Sequence, residues 1–320
     1  MNRLPHYLPH ALALLLPVAA AALLAMVGNS HRPLVPDWEE ELLAVRLESV
    51  TEAEALFARL NYAWPPLQGP TVPRIAVDPL PDDYHAGLET QRKKALFFRV
   101  LLPMVLAENR VLRAQRRHLQ RLLADGLPAA DTAPREWLQG LLRRYRIAED
   151  GDLELAAARL LQRLDEIPTA LVLAQAANES AWGTSRFTRV ANNLFGQWTW
   201  QAEHGIVPAS RPEGERYLVR KFPSLRDSVR DYLYNLNVGH AYEGLRRLRH
   251  EMRRTDQPLD ATILAAGLSR YSERGDAYVE EIRRIIRGNG LERLSEVDLM
   301  PPAAVRQVAL LAEKDESTGG

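Results

Sequence analysis

Glu179 is the residue whose surroundings could do chemistry. It lies in the stretch Pro168 to Trp200, PTALVLAQAANESAWGTSRFTRVANNLFGQWTW. Pro168 suits the first turn of a helix, and Leu171, Ala174, Ala177 and Ala181 recur at the spacing of one buried face. From Pro168 to Asn178 the segment carries no charge, so Glu179 is the lone formal charge in a helix otherwise fit for burial. Ser180, Trp182 and Gly183 follow, and Gly183 fits a left-handed cap, so the helix should end within a residue or two of the carboxylate. A helix C-terminus carries partial negative charge, and a neighbouring indole excludes water. Both disfavour the ionised carboxyl and raise its pKa. A carboxyl kept protonated near neutral pH is what a general acid requires. A Glu in the last turn of a surface helix is ordinarily just solvated; the uncharged approach is what sets this one apart.

Downstream, Asn192-Asn193-Leu194-Phe195-Gly196-Gln197-Trp198 combines paired amides, a glycine and aromatic faces. Amides bond hydroxyl and acetamido groups, and rings stack on the apolar face of a sugar. The candidate substrate-binding set is Ser180, Asn193, Phe195, Gln197, Trp198 and Trp200. Phe195 is expected to be partly core, whereas Trp198 and Trp200 alternate as in a strand and suit the wall of a groove.

The elements around this stretch read as mainly α with a small β part. Gln201 to Phe222 contains Gly205, Pro208, Pro212 and Gly214, then alternates through Tyr217-Leu218-Val219-Arg220-Lys221-Phe222, which predicts a β-hairpin lobe. A long amphipathic pattern from Leu88 to Leu123 predicts a helix that Pro103 should kink or divide, with Arg92, Lys93, Lys94, Arg113, Arg116 and Arg117 on a solvated face. Shorter helices are expected at Pro134 to Tyr145, Leu153 to Leu164, Asn237 to Met252 and Ala261 to Leu268. Asp150, Asp152 and Glu154 lack the later Gly and Glu of a calcium loop and read as a turn with a helix cap. Trp38 to Leu60 reads as an amphipathic helix, and the prolines between Tyr62 and Asp83 predict an extended connector with a short strand at Arg74 to Val77.

The chain of 320 residues balances 41 basic against 41 acidic side chains, so nothing global points to nucleic acid as a partner. The absence of Cys excludes disulfides, thiolate metal sites and a lipoprotein anchor. Ala11 to Gly28 is an unbroken apolar run behind Arg3, followed by Asp37, Glu39, Glu40 and Glu41. That pattern predicts export, as a cleaved signal peptide or a membrane anchor with the body outside. The expected division is a targeting segment over 1–30, a helix and Pro-rich connector over 31–86, a catalytic domain with its preceding long helices over 87–292, and a short helix with a flexible tail over 293–320.

The runs AQAANESAWGTSRF and NNLFGQW resemble the bacterial glucosaminidase family, glycoside hydrolase family 73, which has a lysozyme-like fold. Within it the chain resembles the Bax-like bacterial proteins, a likeness that also takes in LPDDYHAGLETQRKKALFFRVLLPMVLAENRVL and so runs from Leu80 to Asn289. The resemblance implies cleavage of N-acetylglucosamine-containing glycan in peptidoglycan, with Glu179 as the family's catalytic acid. A second carboxylate of such enzymes sits on the β-lobe; Glu215 is most similar in position, Glu213 next, and Glu203 is also available. LSRYSERGDAYVEEIRRIIRGNG resembles the family's closing motif, in which a Tyr beside the acid falls on Tyr271 and a later Tyr, opening the last helix, on Tyr278. The loop between them, Ser272 to Asp276, departs from the family's pattern.

The expected reaction is hydrolysis of a β-1,4 glycosidic bond in the periplasm or on the membrane face toward it, without metal or organic cofactor. Either a β-lobe carboxylate assists water or the substrate's acetamido group supplies the nucleophile. Two rivals remain: a lytic transglycosylase, against which NNLFG argues, and a non-catalytic glycan-binding or scaffold protein, against which the retention of Glu179 argues.

Overall fold

The computed structural model describes residues 39–66, 71–149, 151–208, 211, 214, 216–271 and 274–312. The apolar run Ala11 to Gly28, Glu213, Glu215 and the last eight residues lie outside the described residues. Among the described residues no helix is long and apolar enough to cross a membrane.

The fold is mainly α, with short strands. In chain order the helices are α1 (Val50–Arg59), α2 (Thr90–Ala124), α3 (Ala133–Arg144), α4 (Leu153–Arg163), α5 (Thr169–Glu179), α6 (Arg186–Ala191), α7 (Leu225–Val238), α8 (Glu243–Arg254), α9 (Ala261–Leu264), α10 (Asp276–Gly288) and α11 (Val305–Ala312). The strands are β1 (Leu43–Val45), β2 (Thr71–Val72), β3 (Ile75–Val77), β4 (Trp198–Thr199), β5 (Gly205–Ile206), β6 (Leu218–Arg220) and β7 (Asp298–Leu299).

At the centre is α5, whose residues Ala170 to Ala177 are all buried. A helix buried on every side has no place for charge, and this one keeps its charge for its final residue. It packs against α2, α10 and the 3-10 turn at Leu291–Glu296. Each fully buried Leu or Val here contributes about 1.5–3 kcal/mol relative to exposure. A second, smaller apolar cluster joins α3 and α4 to Leu119 of α2.

Helix α2 runs unbroken through Pro103. The proline leaves the Arg99 carbonyl without its helical N–H, and the Tyr62 hydroxyl donates to that oxygen at 3.2 Å. The expected division of this helix is therefore not found. Arg113 and Arg116, read as solvated, are also engaged: Arg113 pairs with Glu166 at 2.6 Å, and Arg116 reaches Asp165 at 3.6 Å.

The helix expected over Trp38 to Leu60 begins only at Val50, where Ser49 accepts from the Glu52 N–H at 3.1 Å. Leu43–Val45 instead forms β1, parallel to β3. Main-chain pairing with a distant strand overrides the local helical period. The helix expected over Asn237 to Met252 is broken at Gly239, where Arg246 Nη1 donates to the carbonyls of Leu236 at 3.0 Å and Gly239 at 2.8 Å.

The β-lobe is present as a three-stranded antiparallel sheet ordered β4-β6-β5. The described ends of the chain meet, because β2 pairs with β7 in parallel. Buried Arg74 fastens that junction, donating to the Met300 carbonyl at 2.6 Å and to Glu40 at 2.6 Å. Residues of α1, β1 and β3 share one apolar core with α2 and α5.

Candidate active site

Glu179 is the last residue of α5, and Ser180 caps it. The backbone then passes through three consecutive left-handed residues, Ala181, Trp182 and Gly183, with φ of 50°, 59° and 79°. Such a run is costly for residues with a Cβ and must be held from outside. Ser180 Oγ donates to the Ala176 carbonyl at 2.6 Å and accepts from the Gly183 N–H at 2.7 Å. The Tyr84 hydroxyl donates to the Trp182 carbonyl at 2.7 Å. The Trp182 ring meets Phe97 and Phe98 of α2 edge-on, with Lys94 Nζ 4.7 Å from its centre. Residues of α2 and the turn at Tyr84, far ahead in the chain, thus fix the direction in which the backbone after Glu179 leaves the helix.

The carboxyl receives neutral donors. The Tyr278 hydroxyl donates to Glu179 Oε1 at 2.8 Å, and Asn178 Nδ2 donates to the same oxygen at 3.2 Å. Burial pushes the Glu179 pKa above the ordinary carboxylate range; the Tyr278 and Asn178 hydrogen bonds oppose the shift without cancelling it, Glu281 reinforces it and Arg274 opposes it. Burial is the leading cause.

Tyr271 does not donate to the acid. Its ring stacks on Tyr278 with centres 5.3 Å apart, and its hydroxyl donates to the Phe195 carbonyl at 2.9 Å. The later tyrosine, Tyr278 on the buried side of α10, is the one that reaches the carboxyl. Phe195 is core, its ring stacked on Tyr232 at 3.8 Å. Asn193 is also buried; its Nδ2 donates to the carbonyls of Gln197 and Arg220, and its Oδ1 accepts from the N–H of Phe195 and Gln197. Asn193 thereby ties the loop after α6 to β6. Gln197 Nε2 donates to Asp231, which also pairs with Arg220 at 2.7 Å. Of the six candidate binding residues only Trp198 and Trp200 present large exposed surfaces, 50% and 76%. Trp198 leans on Tyr217 at 4.0 Å, so the β-lobe shows an aromatic face to solvent.

Glu215 and Glu213 lie outside the described residues, and Glu203 is exposed in a 3-10 turn at Ala202–His204. A carboxylate that sequence reasoning missed is Glu281 of α10, paired with Arg274 at 2.6 Å. Its position one turn beyond Tyr278 was the available signal. Among the described residues no group of three or more His, Asp or Glu side chains is gathered to hold a metal ion.

Residues 155–291, which contain Glu179, Tyr271 and Tyr278, match the glucosaminidase family model, described as mannosyl-glycoprotein endo-beta-N-acetylglucosaminidase. Protein bax of Escherichia coli (strain K12) is 35% identical over 202 residues, covering 62% of this chain and 70% of that protein. The chain belongs to the Bax-like proteins with a glucosaminidase domain. No solved structure matches it. The glucosaminidase domain so defined begins within α4 and ends at Leu291, three residues past α10, so α2 and the Tyr84 turn buttress it from outside the matched segment.

Proposed function

We propose that this protein is a peptidoglycan hydrolase of the bacterial cell envelope, an endo-β-N-acetylglucosaminidase that cleaves β-1,4 bonds with Glu179 as general acid. The observation that carries this reading is the state of Glu179: half-buried, held by neutral donors, raised in pKa, and inside the segment that matches the glucosaminidase family. A protonated Glu179 gives its proton to the leaving glycosidic oxygen as the C1–O bond breaks, and the electron pair stays on that oxygen. Attack at C1 then comes from water assisted by a β-lobe carboxylate, with Glu215 the candidate, or from the substrate's own acetamido oxygen. Trp198 and Trp200 supply stacking surface for sugar rings along the β-lobe. Tyr271, Asn193 and Gln197 hold the loop after α6 in place. The apolar run Ala11 to Gly28 directs the chain to the periplasmic side, as a cleaved signal or as an anchor.

The test is digestion of purified peptidoglycan beside Glu179→Gln, with mass spectrometry of the released reducing ends. Products ending in N-acetylglucosamine that vanish with the substitution support the reading. Anhydro-muramic ends would make the protein a lytic transglycosylase, and binding without release would make it a glycan-binding module.

A further inference from the structure

Gln175 lies one turn before Glu179 on α5 and is fully buried. It is the one polar side chain in the run from Ala170 to Ala177, and an amide in such a place must find partners or destabilise the core. It finds two tyrosines from two other helices. The Tyr232 hydroxyl of α7 donates to Gln175 Oε1, and Gln175 Nε2 donates to the Tyr278 oxygen at 2.9 Å. Tyr278 in turn donates to Glu179 Oε1 at 2.8 Å. Tyr232, Gln175, Tyr278 and Glu179 form one hydrogen-bonded chain from the core to the acid.

The direction of that chain is determined by counting protons. A phenol has a single proton to give. Tyr232 is fully buried, and among the described residues its hydroxyl has Gln175 as its hydrogen-bond acceptor. Turning the amide over would point Nε2 at Tyr232 and Oε1 at Tyr278. The Tyr232 proton would then be stranded, and the Tyr278 proton would be drawn to Gln175 instead of Glu179. One orientation gives both phenol protons an acceptor, and in it the Tyr278 oxygen is already occupied as an acceptor. Its proton has Glu179 as its destination. Asn178 Nδ2 donates to the same carboxyl oxygen, so both donors converge on Oε1.

We propose that Gln175 and Tyr232 are positioning residues, which lock the Tyr278 hydroxyl as a donor to Glu179 Oε1 and thereby leave the acid proton on Oε2. The proposal rests on the reading of Glu179 as general acid. Neither residue touches the carboxyl; both act through Tyr278. Before transfer, the chain leaves Oε2 as the oxygen that carries the proton toward the leaving group. After transfer, the same two hydrogen bonds at Oε1 stabilise the carboxylate that remains. Burial sets the raised pKa, and the chain trims it, so that the acid gives up its proton without first being ionised by solvent. Phe195 stacks on Tyr232 and accepts from Tyr271 through its backbone, which ties the loop NNLFG to the far end of the chain.

The test titrates Glu179 directly in the full chain, by carbon-13 NMR of labelled glutamate side chains, with the resonance assigned by its loss in Glu179→Gln. Tyr278→Phe removes the donor and should raise the Glu179 pKa by about one to two. Tyr232→Phe keeps the ring against Phe195 and removes only a hydroxyl remote from the carboxyl. It frees the amide to turn and should raise the same pKa by about half to one. In glycan hydrolysis, Tyr232→Phe should lower kcat about tenfold with KM little changed, and the alkaline limb should move upward. Should Tyr232→Phe fail to fold, Gln175→Met removes the donor to Tyr278 at similar length and should shift the pKa in the same direction. An unchanged Glu179 pKa in Tyr232→Phe, or in Tyr278→Phe, overturns the proposal, since a packing role alone would change stability and leave the titration where it was. The NMR arm needs no turnover: shifts without any glycan cleavage would uphold the chain and overturn only the glycosidase reading.

Discussion

The two ends of α5 carry two carboxylates with opposite fates, one buried and one half-buried. Asp165 sits just ahead of the N-terminus, and Glu179 closes the C-terminus. Burial pushes both pKa values up. At Asp165 the push is outweighed by Arg249, Arg253 and Arg116, so its carboxyl is held below the ordinary range. Arg253 is bidentate, at 2.9 Å and 3.0 Å. At Glu179 the partners are a phenol and an amide, which soften the push without reversing it. The helix dipole runs the same way, favouring an anion at the start and a neutral group at the end. Burial therefore does not distinguish a catalytic acid from a structural ion pair; the charge of the partners does.

The largest expected separation is in chemistry. Glu179→Gln should lower glycan hydrolysis by about 10²–10⁴-fold, the usual contribution of a positioned acid, while leaving the fold intact. Asp165→Asn should change turnover per folded molecule little. Its effect falls on stability: fully buried Arg249 would lose its carboxylate, at a cost of about 3–5 kcal/mol in urea unfolding. A catalytic loss in folded Asp165→Asn that matches Glu179→Gln would break the division between the two ends.

The division was half legible in the sequence. An uncharged run ending in one Glu, followed by small and turn-forming residues, marks both α5 and its acid, and the apolar period of α2 marks a long helix despite Pro103. The acid's partner was harder, because Tyr278 is 99 positions away and nothing local distinguishes its hydroxyl from that of Tyr271. Gln175 offered a signal in its isolation among apolar residues, but a buried amide does not say which hydroxyls it will meet. Asp165 was hidden for the converse reason. Arg249 and Arg253 are spaced as neighbours on a basic helix, a pattern that ordinarily means a solvated face. Strand β1 was misread because three residues carry too little period to outweigh a longer helical one.

A smaller effect tests the turn that follows the acid. Gly183 has φ of +79°, and a Cβ there would lie 2.8 Å from Leu80 Cδ1 and 3.1 Å from Phe97 Cδ2. Gly183→Ala should destabilise by about 1–3 kcal/mol and displace Glu179. Gly126→Ala, with φ of +94° and nothing within 4 Å of the added carbon, separates backbone strain from crowding. Equal losses in unfolding midpoint and activity for the two substitutions would mean that the N-terminal clamp does not position the acid.

The last difference between the two ends is one of sign. Glu179 has a folded pKa above its unfolded value of about 4.3, so the stability it contributes is fully present below that pH and is lost as pH rises through the folded pKa. Glu179→Gln has no such loss, so its stability relative to the unmutated protein should increase through that window. Asp165 has a folded pKa below its unfolded value of about 3.9, so its contribution is present above that value and is lost as pH falls through the folded pKa. The penalty of Asp165→Asn should therefore shrink in acid. Urea midpoints of the three proteins from about pH 3 to 8 give both slopes. A gain in Glu179→Gln that does not vary with pH would mean that its carboxyl is not held protonated, and the two ends of the helix would then differ in partners but not in kind.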